Sequence, residues 1–194
     1  MKFLRALSTS LQDDPFYRAI TVGIATGQDR LSALDSYFHY SAAEGTRRGR
    51  VVVAPHEEDG AAIWLLPQSE EAQARESQAK ASFLLELLGR RGSDSYHRIV
   101  EFMAPRARRL VPQDAWYLSI IGIRPAAQGK GLGAHLVRST LAEADAAGKV
   151  SYLETFSRRN VAFYERLGFR TVAEQAEPTT MHSYLIMRRD GRAN

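Results

Sequence analysis

Apolar residues recur at helical spacing through the N-terminal half of the chain. Between positions 10 and 41, Leu31, Leu34, Phe38 and Ser41 fall three or four residues apart, which predicts helices broken near Asp13-Asp14-Pro15. Residues 50–54 and 61–66 are short apolar runs parted by Pro55-His56-Glu57-Glu58-Asp59-Gly60, and predict a hairpin. A long helix follows over 69–89, with Phe83, Leu84, Leu87 and Leu88 as its buried stripe and Gly89 as its stop. Ser93 predicts the N-cap of another helix, whose apolar face is Tyr96, Ile99, Val100 and Met103 and which Pro105 limits.

The pattern changes after Asp114. Residues 115–123 are apolar at nearly every position, as expected of a central strand covered on both faces. A loop over 124–130 leads into a helix over 131–147 that buries Leu132, Leu136, Val137, Leu141 and Ala144 and ends at Gly148. A strand over 150–155, a short helix over 160–167 stopped by Gly168, and two strands over 170–174 and 183–187, read as antiparallel, complete the pattern. This alternation predicts a mixed α/β sheet, and 194 residues suit a single domain.

Composition narrows the chemistry. With no cysteine, disulfides, cysteine metal sites and thiol catalysis are excluded, and a reducing, cytoplasmic setting fits. The longest clean apolar runs, 51–54 and 61–66, are far shorter than the ~20 residues of a membrane helix, so no membrane association is expected. Arg5 interrupts the apolar start of the chain, and no signal peptide is read there. The five histidines, at 39, 56, 97, 135 and 182, lack ligand-like spacing, and no metal is expected. The net charge of +4 is mild and lies late, at +3 over residues 113–194. A nucleic-acid surface would need a denser basic stripe with interleaved aromatics, so the alternatives are a solvated arginine-rich surface or a local site for an anionic ligand.

The candidate chemistry is concentrated in the run from Ile123 to Ala134, where a buried strand passes through a glycine-rich turn into a helix. Glycines let backbone approach a ligand, and a helix start offers unpaired N–H groups with a positive dipole end. From Arg124 to Arg138 there are three basic residues and no acid, so the late positive charge centres here. The spacing fails the Gly-x4-Gly-Lys-[Ser/Thr] phosphate loop. A dinucleotide fold would place the first glycine directly after the strand, whereas Gly129 lies six residues past Ile123, although Glu154 mimics that fold's ribose-binding acid. A tight strand-to-helix turn without a ligand also remains open.

A further reading comes from resemblance. Gln128-x-x-Gly131-x-Gly133, preceded by Ile-x-Ile-Arg-Pro, resembles the acetyl-CoA signature of the GNAT superfamily of N-acetyltransferases. Leu153-Glu154-Thr155, followed by Arg159-Asn160-x-x-Phe163-Tyr164-Glu165-Arg166-Leu167-Gly168-Phe169, resembles that family's next strand and short helix. Within the superfamily these runs are most similar to puromycin N-acetyltransferase-like proteins. The resemblance covers about residues 113–190. It implies a mixed, mostly antiparallel twisted sheet with a splayed central strand pair and helices on both faces. Residues 1–112 would form the acceptor side and 113–190 the acetyl-CoA-binding core of one domain.

The same resemblance implies site residues. The backbone of Ile121 and Ile123 would bond pantetheine, and the N–H groups of Gln128, Gly129, Gly131, Leu132, Gly133 and Ala134 would wrap the pyrophosphate, with Lys130 and Arg124 adding charge. Asn160 would face pantetheine, unless it serves only as a helix N-cap, and Tyr164 would sit near the thioester sulfur as hydrogen-bond donor to the leaving thiolate. The reaction implied is direct attack of a small-molecule primary amine on the acetyl group of acetyl-CoA, with the Ile121 N–H polarising the carbonyl. Residues 115–123 hold no carboxylate, so the base is sought at Glu154 first, then at His97, Glu101 or a water relay. Phe16, Tyr17, Tyr37, Tyr40 and Trp64 are candidates for an aromatic acceptor wall or for plain core. Only about twelve residues precede Asp13-Asp14-Pro15, too few for the family's first strand and helix together, which leaves a shortened sheet edge that a second copy could cover as a homodimer. The rival readings are a catalytically silent acyl-CoA-binding or regulatory module, and peptide or protein N-acetylation, which would favour an acidic groove.

Overall fold

The computed structural model describes residues 1–24 and 26–191. Three helices come first: α1 (Phe3–Leu11), α2 (Pro15–Ile20) and α3 (Gly27–Arg48). Asp14 starts α2, accepting a hydrogen bond from the Phe16 N–H at 2.9 Å, with Pro15 at the first helical position, where its missing N–H costs nothing. Thr26 caps α3 through the Asp29 N–H. The predicted hairpin forms as β1 (Gly49–Val53) and β2 (Gly60–Leu65). The remaining elements are α4 (Glu70–Arg108), β3 (Trp116–Ile123), α5 (Leu132–Ala146), β4 (Ser151–Thr155), α6 (Val161–Glu165), β5 (Arg170–Glu177) and β6 (His182–Arg189).

Helix α4 joins the two helices expected over 69–89 and from Ser93. Its backbone leaves helical geometry at Gly89 (φ 65°, ψ 179°), so the stop expected there is a kink, after which the helix resumes. It also runs past Pro105 to Arg108. Proline removes one N–H from the ladder but does not bar the turn that follows it, and Arg106 Nη1 donates to the Phe102 carbonyl at 2.6 Å in that turn.

The sheet has six strands in the order β1-β2-β3-β4-β6-β5, antiparallel throughout except for β3 beside β4. Helices α1–α4 cover one face, around Leu7, Ile20, Phe38, Ile63, Ile99 and Ile186. Helices α5 and α6 cover the other, around Trp64, Leu118, Leu136, Leu153 and Met187. This is the expected mixed, mostly antiparallel sheet between helical layers. Among the described residues no strand precedes β1, which forms one edge. No described helix is long and apolar enough to cross a membrane.

Strand β3 carries a bulge. Ile63 faces Ile120 but Trp64 faces Leu118, so Ser119 is an extra residue. It reverses the alternation: Leu118 points towards α5, Ile120 towards α1–α4, and Ile121 and Ile123 towards α5 again. Close approach then sets the helices. A methyl group at Gly122 would lie 2.5 Å from Ser10 Oγ, so α1 rests directly on β3, and one at Gly92 would lie 2.3 Å from the Ile20 carbonyl, so α2 seats on α4. Gly92→Ala is expected to lower stability by about 1–3 kcal/mol in urea titration, through overpacking that outweighs alanine's better helix propensity. Unchanged stability would contradict this seating of α2.

Candidate active site

Strands β3 and β4 pair only at Trp116 with Ser151 and Tyr117 with Tyr152, and then part. The groups left facing the gap follow from the antiparallel rule that alternate residues turn both backbone groups to the same neighbour. The Arg124 N–H bonds the Asp59 carbonyl at 2.8 Å and the Ala54 N–H bonds the Gly60 carbonyl at 3.0 Å. Ile120 and Gly122 therefore exchange hydrogen bonds with β2, whereas Ile121 and Ile123 turn theirs into the slot beside β4. The Ile123 carbonyl is already taken there by Gln128 Nε2 at 2.9 Å.

The turn below the slot is held from outside. Arg124 Nε binds Asp59 Oδ1 at 2.5 Å, with Asp59 only 8% exposed, so this arginine serves the hairpin rather than the turn. The Gln128 N–H bonds the Pro125 carbonyl at 3.2 Å. That corrects the expectation that it faces a ligand. Gly129 and Gly131 both lie at φ +77°, in the left-handed region that glycine favours. The first bond into α5 runs from the His135 N–H to the Gly131 carbonyl at 3.1 Å, so the N–H groups of Leu132, Gly133 and Ala134 open the helix with no protein acceptor among the described residues. A side chain at Gly133 would press on the Phe163 ring at 3.1 Å, and Lys130 is exposed beside it. These open N–H groups at the positive end of a 15-residue helix suit a diphosphate.

Helix α6 brings Tyr164 to the α5 face of the sheet, buried against Phe163 and Phe169 at 5.0 and 6.1 Å between centroids. Burial, and then the charge of Asp14, push its phenol well above the usual tyrosine range, so it keeps its proton. Asn160 is exposed and its side chain makes no capping bond to α6, so it is not held by the helix it precedes. The sequence marks Asp14 only as part of a helix break. Its carboxyl is raised to about 6 by burial, against the Phe16 N–H and the charges of His182 and Arg159.

Glu154 lies on the opposite face, between Tyr152 and Phe156 of the α1–α4 core. Its Oε2 accepts from the Tyr117 hydroxyl at 3.1 Å, while Oε1 is buried with no partner among the described residues. Burial raises this carboxyl to about 7, and the Tyr117 bond works in the other direction. Tyr164 and Glu154 thus lie on opposite faces of the sheet. His97 donates Nδ1–H to the Ser93 carbonyl at 2.8 Å and does not pair with Glu101, which is exposed. Phe16, Tyr17 and Tyr37 form an edge-to-face series at 5.2 and 5.7 Å in the α1–α4 core, and Tyr40 stacks on Phe83 at 4.3 Å. Trp64 is in the core under α5, across the sheet from these rings, and does not share a wall with them. Sequence reasoning missed Tyr117 and Tyr184, which surround Glu154, because nothing in strand periodicity marks a phenol as a partner of one carboxylate.

Because Glu154 rises from 4.5 to about 7 on folding, the native protein holds a proton that the unfolded chain releases between those values. Stability contributed this way falls as pH rises through the window, and Asp14 acts with the same sign. Glu154→Gln should therefore gain stability relative to wild type, by on the order of 2–3 kcal/mol, between about pH 5 and about pH 8. Urea titrations at both pH values check this, and a pH-independent difference would contradict it.

Comparison with known proteins agrees with this geometry. Residues 94–171 match the acetyltransferase (GNAT) domain family. A Corynebacterium glutamicum structure described as histone acetyltransferase HPA2 and related acetyltransferase superposes with a TM-score of 0.68 at 22% identity, covering 100% of this chain and 91% of that one. Arylalkylamine N-acetyltransferase 2 from Aedes aegypti gives 0.56 at 15% identity, covering 97% and 93%. An agmatine N-acetyltransferase gives 0.58 at 17% identity, covering 97% and 91%. The slot, the glycine turn and α6 all fall within the segment that resembles the acetyltransferase (GNAT) domain, and the fold is shared with those structures along nearly the whole chain.

Proposed function

We propose that the protein is an N-acetyltransferase that moves the acetyl group of acetyl-CoA to the primary amine of a small molecule by direct attack. The observation that carries this is the slot: two parallel strands that part after two residue pairs, next to a helix whose first N–H groups lack acceptors. Both features fit a long polar ligand with amides at one end and a diphosphate at the other. Among the described residues the Ile121 carbonyl and the Ile123 N–H have no partner and would take the amides, with exposed Asn160 as a further contact, which leaves the Ile121 N–H for the acetyl group. Among the described residues the N–H groups of Gly129, Gly131, Leu132, Gly133 and Ala134 have no acceptor and would take the diphosphate, with Lys130 adding charge. The mild positive charge, +3 over residues 113–194, does not favour the acidic groove that a basic peptide acceptor would want, and so supports a small amine.

When bound, acetyl-CoA supplies an acyl carbon activated as a thioester. The amine nitrogen bonds to that carbon, the carbon–sulfur bond breaks, and the proton shed by nitrogen passes to Glu154. A carboxyl with a value of about 7 is half ionised near neutrality, the condition in which a base both accepts and releases protons readily. The Ile121 N–H polarises the carbonyl oxygen from the slot. Tyr164, held protonated by burial, hydrogen-bonds the leaving sulfur rather than surrendering its proton, since a thiol near 8.5 is the stronger acid. Solvent then returns the thiolate to thiol and removes the proton from Glu154.

Calorimetric titration with acetyl-CoA should show binding that Gly133→Val abolishes, and no wild-type binding at high micromolar concentration would refute the donor assignment. A thiol-release screen over small amines should show turnover, and Tyr164→Phe should lower kcat by about a hundredfold with acetyl-CoA affinity retained. Binding without turnover of any amine would identify a silent acyl-CoA module instead.

A further inference from the structure

We propose that Glu154 Oε1 and the Tyr184 hydroxyl together hold the nitrogen of the acceptor amine, with Tyr117 as the positioning residue that fixes the carboxylate for this task. The inference rests on the acetyltransferase reading and deepens it.

Both atoms are buried and neither has a partner among the described residues. They are also neighbours. Glu154 lies opposite Ile186 on β6, and Tyr184 stands two residues before Ile186 on the same face, the diagonal position that long side chains bridge. The Tyr184 phenol is pushed up to about 12 by burial and, next, by the charge of Glu154. Leaving a buried carboxylate oxygen without a donor costs about 1–3 kcal/mol or more. An amine with at least two N–H bonds satisfies both atoms at once, donating one hydrogen to Oε1 and another to the hydroxyl oxygen.

The surroundings keep the pair aimed. Tyr117 occupies Oε2 at 3.1 Å and stacks on Tyr152 at 4.7 Å, so the carboxylate cannot turn Oε1 away without breaking that bond. Tyr184 is clamped by Phe156 at 5.5 Å and Phe102 at 6.5 Å. The charged and titratable groups facing this cluster are Tyr152 on β4, Tyr117 on β3, Tyr17 on α2, Glu177 on β5, and Arg106 and Arg108 on α4. Arg106 is engaged elsewhere, stacked on Phe102 at 3.5 Å and donating to the Phe102 carbonyl. Among the described residues no arginine forms an ion pair with Glu154, and only the Tyr117 hydroxyl bonds it.

Tyr184→Phe and Tyr117→Phe each delete one oxygen and keep the ring, so the full-length variants should fold. In the thiol-release assay with the best amine from the screen, Tyr184→Phe should raise the amine KM by about tenfold, the loss of one hydrogen bond, with acetyl-CoA affinity unchanged. Tyr117→Phe removes a donor to the ionised carboxylate. The acidic limb of the kcat/KM profile for that amine should therefore move up by about one pH unit. Wild-type turnover with an amine KM that Tyr184→Phe leaves within about twofold would overturn the inference but not the acetyltransferase reading, as would an unmoved limb in Tyr117→Phe. A wild type that turns over no amine would sink both.

Discussion

The site depends on hydrogen bonds that β3 does not make. Buried backbone groups in a folded chain are almost always paired, so a central strand that leaves its neighbour after two residue pairs needs another use for what it exposes. Three devices produce that exposure. The bulge at Ser119 reverses the alternation, so that Ile121 and Ile123 point their side chains towards α5. Arg124 and Asp59 lock the end of the strand to the hairpin, and Gln128 ties the turn back to the Ile123 carbonyl. The slot is thus held open by contacts at its rim, and α5 can begin beside it with its first N–H groups unclaimed.

Burial is the common cause of the unusual acidities on both faces of the sheet. It raises Asp14 and Glu154 towards neutrality and lifts the Tyr164 phenol out of reach of ordinary titration. In the proposed reaction that is a division of labour: a carboxyl that exchanges protons near neutral pH on one face, and a phenol that only donates a hydrogen bond on the other. The two helical layers accomplish this by desolvating each group separately, with β3 and β4 between them. The paired surface charges, such as Arg47 with Glu76 or Lys149 with Asp114, are exposed and contribute little to it.

Much of this was legible in the chain. The apolar run 115–123, the glycines after it and the periodicity of α5 placed the slot's floor and turn, because strand burial and positive φ leave direct marks on residue type. The helix break at Asp14-Pro15 was visible as well, but not the charge environment of Asp14, which arises where α2 meets residues far away in sequence. Pro105 misled for a local reason: one lost N–H does not end a helix whose flanks are packed. Whether Trp64 belonged to an acceptor wall or to the core was a tertiary matter, since the faces of β2 follow from its register against a bulged partner. Gln128 shows the finest limit. Its signature position was plain, yet whether its N–H or its side chain faces a ligand depends on the turn closing on Pro125.

The sequence by itself determined the order of elements from β3 onward, the mixed sheet, the glycine turn at the start of α5 and the presence of Glu154 and Tyr164 on the elements that follow. Periodicity, turn residues and motif spacing are local properties, and they survive being read one residue at a time. Only the tertiary structure decided that β3 and β4 separate, that Glu154 and Tyr164 lie on opposite faces of the sheet, and that Tyr117 and Tyr184 flank the carboxylate. Those facts depend on register, on one extra residue in β3, and on which side chains desolvate which. Each is a relation between distant segments that no single stretch of the chain contains.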